Sequence, residues 1–232
     1  MNQSKKLDLR FILFTKLFSQ LKFSVVAFLL ACVVLLFSRC APVFSDLQSA
    51  KLLGPGNFEA TPSFSSVSVS SEGESEHIQN HFGIQAGYGI FSKMDFRLRY
   101  ERISVDMNSN DSFNVNVLGF GPKFSLLKDW IAFYVPVGFA FGEDIEVSDT
   151  WQVHPTLLFT LPISKYFEFN PSAKVLIPFK SEQDTLVAFN LGLAISTNLE
   201  KWAIRPEIGF LYNPGESGHF MHLSIGFSYY IR

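Results

Sequence analysis

FEFNPSAKVLIPF, residues 167–179, alternates with a period of two. Phe167, Phe169, Pro171, Ala173, Val175, Ile177 and Phe179 take the odd positions, while Glu168, Asn170, Ser172 and Lys174 take even ones. Successive side chains of an extended strand point to opposite faces, so this stretch is a strand with one oily and one polar side. The same rhythm recurs at 151–163, 187–195, 202–212 and 221–231, and upstream at 57–70, 77–91, 94–107, 112–126 and 130–142. The pattern predicts an all-β chain, an antiparallel up-and-down barrel of about ten strands, with eight or twelve as the neighbouring counts. Two upstream segments change phase. Phe96, Leu98 and Tyr100 are even but Ile103 and Val105 odd; Phe113, Val115 and Val117 are odd but Phe120 and Phe124 even. A β-bulge in each is the expected repair. Pro136, Pro155, Pro171 and Pro206 fall inside the segments, where each removes a ladder hydrogen bond.

The composition of the polar face decides which side is inside. A barrel in water would exchange the faces, as lipocalin-like folds do, and would carry many Lys and Glu outside. Ala188, Asn190, Gly192, Ala194 and Ser196 are instead small and uncharged. Charged residues are 17% of the chain, against roughly 25% in an ordinary soluble domain, while Phe alone numbers 26. A crowded polar lumen and a lipid-facing aromatic surface fit these numbers. Trp151, Trp202, Tyr212 and Tyr229 fall near strand ends, where interfacial aromatics belong. Alternate connections are tight (92–93, 127–129, 164–165, 198–201) or longer and acidic or turn-rich (71–76, 108–111, 142–149, 181–184, 213–218). Tight turns normally face the periplasm, so both termini are expected there, in a bacterial outer membrane. A net charge of −2 leaves no footprint for nucleic acid.

Lys5, Lys6, Arg10, Lys16 and Lys22 precede a fifteen-residue apolar run at 23–37. That is the pattern of a secretory signal, shorter than the roughly 20 residues of a spanning helix. The expected organisation is a signal helix at 1–39, a periplasmic linker at 40–56 and the barrel at 57–232. Three processing positions compete: Cys40, as an acylated cysteine preceded by the atypical Arg39; Cys32, with a better preceding motif but an apolar remnant; and a cut after Ser45 that needs no lipid. Cys40 is the slightly favoured one. Cys32 and Cys40 are the two cysteines, so the region after Cys40 has no disulfide.

Asn57-Phe58-Glu59-Ala60-Thr61-Pro62-Ser63-Phe64, Gly87-Tyr88-Gly89-Ile90 followed by Asp95-Phe96-Arg97-Leu98-Arg99-Tyr100, and the closing Gly226-Phe227-Ser228-Tyr229-Tyr230 are strand–turn–strand signatures. On these the chain resembles the small outer-membrane β-barrel proteins of Bacteroidota-type bacteria, over residues 57–232. The resemblance implies architecture and is silent on activity; its implied partners are outer-membrane lipid and the barrel-insertion machinery. The aromatic close looks like the signal that machinery reads, although Arg232 departs from it.

The candidate functional residues are lumenal. Arg97, Arg99, Glu101, Lys123, Glu168, Lys174, Arg205 and Glu207 take the polar phase. Five cations against three carboxylates predict either a paired network that fills the lumen or a narrow path favouring anions. His81, His154 and His222 are placed at similar depth in that phase, a candidate metal or proton-linked site, with filling of the polar lumen as the plainer reading. Asp106, Asp111, Asp144, Asp149, His77 and His219 lie at the rim, where an omptin-like hydrolase would do acid–base work, but no pair has a diagnostic spacing. No phosphate loop, zinc spacing or nucleophile elbow occurs, so neither a cofactor nor a metal is expected, and no small-molecule ligand is named. The reading is a largely filled structural or surface-binding barrel, not an enzyme, with a narrow channel for small polar or anionic solutes as the alternative.

Overall fold

A computed structural model describes residues 42–71, 74–106, 112–143 and 145–231. The signal segment, Cys32, Cys40, Asp111, Asp144 and Arg232 lie outside the described residues. Among those described, helix is limited to one 3-10 turn at Val147–Asp149. The rest of the regular structure is β1 (Phe58–Ser71), β2 (Glu74–Phe91), β3 (Met94–Asp106), β4 (Ser112–Leu127), β5 (Ile131–Tyr134), β6 (Val137–Phe141) and β7 (Gln152–Val153), followed by β8 (Thr156–Phe159), β9 (Leu161–Pro162), β10 (Phe167–Pro178), β11 (Leu186–Ile195), β12 (Trp202–Tyr212) and β13 (His219–Ile231). Segments β5 and β6 make one stave of the wall, and β7, β8 and β9 another, giving ten antiparallel staves. Each pairs with its sequence neighbour, and β1 pairs with β13, so the sheet closes without a free edge.

The barrel is inverted in polarity relative to a water-soluble protein. The buried set includes Glu59, Asp95, Arg97, Glu101, Lys123, Glu168, Lys174, Arg205 and Glu207, whereas Phe82, Ile84, Phe189, Leu191, Leu223 and Ile225 are each about half exposed. Burial alternates residue by residue along β10 and β11, with the polar position inside. That arrangement excludes the soluble barrel with exchanged faces, because no aqueous fold hides its charges and exposes its Phe.

Neither expected bulge exists. β3 and β4 pair without a break from Met94↔Phe124 to Asp106↔Ser112. Ile103 and Val115 are buried on the same inward phase as Arg97 and Lys123, and Val105, Phe113 and Val117 pack beside them. The phase change in the sequence therefore marks a change in lumen chemistry at the long-loop end, from charged to apolar. The register shifts that do occur lie elsewhere, at Val67/Ser68, Gly89/Phe91 and Ser125/Leu127.

The prolines acquire a residue-level account. Each sits where the ladder on one side has already lapsed. Val135-Pro136 separates β5 from β6, opposite His154-Pro155 between β7 and β8; His154 N donates to Pro136 O at 2.9 Å, and Val175 N to Pro155 O at 3.1 Å. Pro171 faces the gap between β8 and β9, and Pro206 the gap between the pairs Gly192↔Glu207 and Ile195↔Ile204. Missing N–H groups thus coincide with missing ladder bonds, and the remaining carbonyls and amides find partners one position away. On the outer wall, the lapse beside Pro171 leaves an apolar notch of about 250 Å³ lined by Leu127, Trp130, Ile131, Phe159, Thr160 and Leu161.

Leu191, midway along β11 and 48% exposed, tests which solvent the wall meets. Leu191→Lys is expected to lower stability in phospholipid vesicles by about 2–4 kcal/mol, as a lysine at the bilayer midplane does. Urea midpoints measure it; an unchanged midpoint would mean that water, not lipid, covers this face.

Candidate functional site

The lumen is occupied by the chain itself. Residues 42–53 carry no regular secondary structure and run through the barrel, with Val43, Phe44, Ser45, Asp46, Leu47, Gln48, Ser49 and Ala50 all buried. The stretch expected as a periplasmic linker is therefore, in its described part, an internal strap. At one end Leu53 N approaches Asp95 Oδ2 at 3.1 Å, beside the tight turn that starts β3. At the other, Val43 packs on Ile103, Val115, Ala140 and Ile145 at the long-loop end. Pro42 and Ile231 consequently lie at opposite mouths of the barrel.

The strap holds on by its main chain. Asp46 N and Leu47 N donate to the two oxygens of Glu207 at 2.7 and 2.8 Å, and Ala50 N donates to Thr160 Oγ1 at 2.7 Å. Lys123 Nζ donates to Ser49 O at 2.7 Å and to Lys51 O at 2.9 Å. Asn190 Nδ2 donates to Phe44 O at 2.8 Å, Lys174 Nζ to the same oxygen at 3.2 Å, and Gln85 Nε2 to Asp46 O at 3.1 Å. Arg99 Nη1 donates to Ser45 O at 2.5 Å and Nη2 to Ser45 Oγ at 2.6 Å. The turn that aims two consecutive amides at Glu207 places Leu47 at φ 53°, the left-handed region that a branched residue seldom takes. Two side chains of the strap add ion pairs: Asp46 with Lys174 at 2.8 Å, and Lys51 with Glu168.

The wall balances its own charges as well. Arg97 pairs with Glu59 and, at 3.3 Å, with Asp95 Oδ2; Arg99 pairs with Glu101 at 2.7 Å. Arg205 donates to Ser228 Oγ at 2.8 Å and Tyr230 Oη at 2.6 Å. Glycines make the space: a Cβ at Gly83 would collide with the Glu101 carboxylate, and one at Gly87 with the Arg97 guanidinium. Glu59 and Asp95 are the carboxylates the sequence inventory missed, although both share the inward phase of their strands. With them the five wall cations face five carboxylates, Glu59, Asp95, Glu101, Glu168 and Glu207, and the expected positive remainder disappears. Beside Leu47, Asn170, Arg205 and Glu207 the residual gap is too narrow for a water molecule.

The three lumen histidines are engaged separately. His81 Nε2 lies 2.8 Å from Gln79 Nε2, His154 Nε2 3.0 Å from Gln152 Oε1, and His222 contacts Asn190 Oδ1 at 3.1 Å and Ser224 Oγ at 2.7 Å. His222 also receives the edge of Phe44, ring centroids 4.6 Å apart. Among the described residues no group of three His, Cys, Asp or Glu is placed to hold a metal ion. At the rim, His77 Nδ1 is 3.2 Å from Ser66 Oγ, and His219 packs on Phe210 and Tyr212. Asp149 pairs with Lys180, and that hydrogen bond holds its carboxyl below the usual range. The side chain of Asp106 lies outside the described residues.

Breaking the Arg97 cluster should be expensive. Arg97→Met strands Glu59 and Asp95 as buried carboxylates and is expected to cost about 3–5 kcal/mol. Adding Glu59→Gln should recover part of that, a non-additivity read from urea midpoints in a double-mutant cycle. Strictly additive losses would show that the two residues do not act as a pair.

No protein-family model matches the chain, and no curated protein matches it in sequence. Solved structures do match in shape. The COG4313 outer membrane channel from Pseudomonas putida F1 superposes with a TM-score of 0.51 at 10% identity, covering 81% of this chain and 100% of that one. Ail, the attachment invasion locus protein of Yersinia pestis, gives 0.38 at 11% identity over 76% and 99%, and Neisserial surface protein A gives 0.36 at 15% over 75% and 98%. At such identities the likeness concerns the fold: the chain has the fold of the outer-membrane β-barrel proteins.

Proposed function

We propose that this protein is an outer-membrane β-barrel that does not conduct, with a structural or surface-binding role exerted through its wall and its long-loop rim. The observation that carries the reading is the strap: Val43 to Ala50 are buried inside the barrel. No water-sized space remains beside Leu47 and Glu207. At the rim, His77 contacts Ser66, His219 packs on Phe210 and Tyr212, and Asp149 pairs with Lys180. A narrow channel is the second reading, favoured by the fold shared with the Pseudomonas putida channel. The equal count of wall cations and carboxylates removes the reason for expecting it to prefer anions.

Outer-membrane lipid is the proposed surround, barrel-insertion machinery the proposed route, and the tight-turn end the proposed periplasmic face. Refolded protein that shows an unboiled gel shift is expected to give no discrete steps in planar bilayers. Steady channels from the intact chain would retire the filled-lumen reading in favour of the second.

The strap also bears on processing. A cut after Ser45 would discard Val43, Phe44 and Ser45, and with them the carbonyls that Lys174, Asn190 and Arg99 engage. We therefore expect the mature chain to begin at or before Pro42, as Cys40 processing would produce. Intact mass of protein extracted from membranes measures this and any lipid on Cys40; a chain starting at Asp46 would contradict it.

A further inference from the structure

We propose that the lumen is a binding site for an irregular, unladdered peptide segment, that residues 42–53 are its resident ligand, and that withdrawing them turns the closed barrel into a pore. The inference rests on the filled-lumen reading and goes beyond it by assigning the closure to one removable segment.

Three observations lead there. First, the wall does not need the strap to satisfy its main chain, because β1 to β13 close into a ring by pairing among themselves. The strap forms no ladder with any stave, so it can leave without unzipping one. Second, the lumen addresses a main chain. Arg99, Lys123, Lys174, Gln85 and Asn190 donate to its carbonyls, while Glu207, Thr160 and Asp95 accept from its amides. Side chains placed to meet both the carbonyls and the amides of an unladdered segment constitute a receptor for a polypeptide main chain. Third, specificity comes from a few side-chain positions. Val43 enters the apolar pocket of Ile103 and Val115; Phe44 lies against His222; Asp46 meets Lys174, Asn190 and Ser172. Leu47 covers Gly226, which has no side chain to oppose it. The ligand class is a peptide segment reading apolar, aromatic, small, acidic, apolar, with a turn at the second apolar position.

Once the strap is gone, the wall is left with five cations and five carboxylates that water can solvate, so the vacated lumen is a wet and nearly neutral path.

The test uses the full chain with a protease recognition sequence inserted between Pro55 and Gly56, both exposed. The barrel folds with its strap in place and is cut afterwards, so a folding requirement for the strap does not interfere. The uncut protein should be closed in planar bilayers. After cutting and a wash in moderate urea, with fragment loss confirmed by mass and the barrel by its gel shift, discrete channels should appear. The synthetic peptide PVFSDLQSAKLL should close them, and its Asp46→Ala version should need at least about tenfold more, the loss of a charged hydrogen-bond partner. A barrel that has lost the fragment, keeps its gel shift and stays silent would overturn the proposal. So would a scrambled peptide that blocks equally well, or a fragment that leaves only when the barrel unfolds. Channels from the uncut protein would instead remove the filled-lumen reading beneath it.

Discussion

A charge inside a narrow barrel has no bulk water to turn to, and this constraint organises the molecule. Hydrocarbon outside forces the apolar residues outward and the polar ones in. Once inside, each ionised group must find an opposite charge or a set of hydrogen bonds, since stranding one costs several kcal/mol. Arg97 answers with Glu59 and Asp95, Arg99 with Glu101, and Arg205 with Ser228 and Tyr230. The glycines at 83 and 87 are part of the same solution, because the long side chains opposite need the room that a Cβ would take.

The wall alone does not complete it. Lys123 finds carbonyl partners on the strap, at Ser49 and Lys51, and Glu207 finds amide partners there at Asp46 and Leu47. The strap in turn brings one acid and one base, Asp46 and Lys51, so it fills space without disturbing the balance of charge. Its unladdered amides and carbonyls, which would be costly in an apolar core, are what the charged wall requires. Strap and lumen are complementary in polarity before they are complementary in shape.

Much of the wall was legible in the sequence because a strand's facing is a local property. Period-two alternation located all ten staves within a few residues, and the small residues on the polar face of 187–195 told inside from outside. What failed was non-local. Ile103 and Val115 looked out of phase because their partner, Val43, lies sixty or more residues away; with it in place the phase is continuous and no bulge is needed. Glu59 and Asp95 were overlooked for the same reason, as pairing with Arg97 is a cross-strand fact. The strap did leave a signal. PVFSDLQSA has no Gly, a single charge and five apolar residues, and an exported segment of that kind needs somewhere to bury Val43, Phe44 and Leu47.

The prolines tie wall to strap. Pro122, Pro171 and Pro206 all take the outward phase, and each adjoins an inward residue that serves the strap: Lys123 after the first, Ser172 after the second, Glu207 after the third. At each the ladder lapses on one side, so the local main chain is not tied to a neighbouring stave on that side. Thr160 shows what such freedom permits. Lying in the gap between β8 and β9, it sends its N–H to Trp130 O and its hydroxyl to Asn170 Oδ1, while its own Oγ1 accepts the amide of Ala50. An unbroken ladder would fix every inward side chain on the regular spacing of the sheet, a spacing that an irregular strap cannot match at each contact. Pro171 and Pro206, which looked like defects in a transmembrane strand, therefore stand with Pro122 where the wall departs from regularity in order to hold what lies inside it.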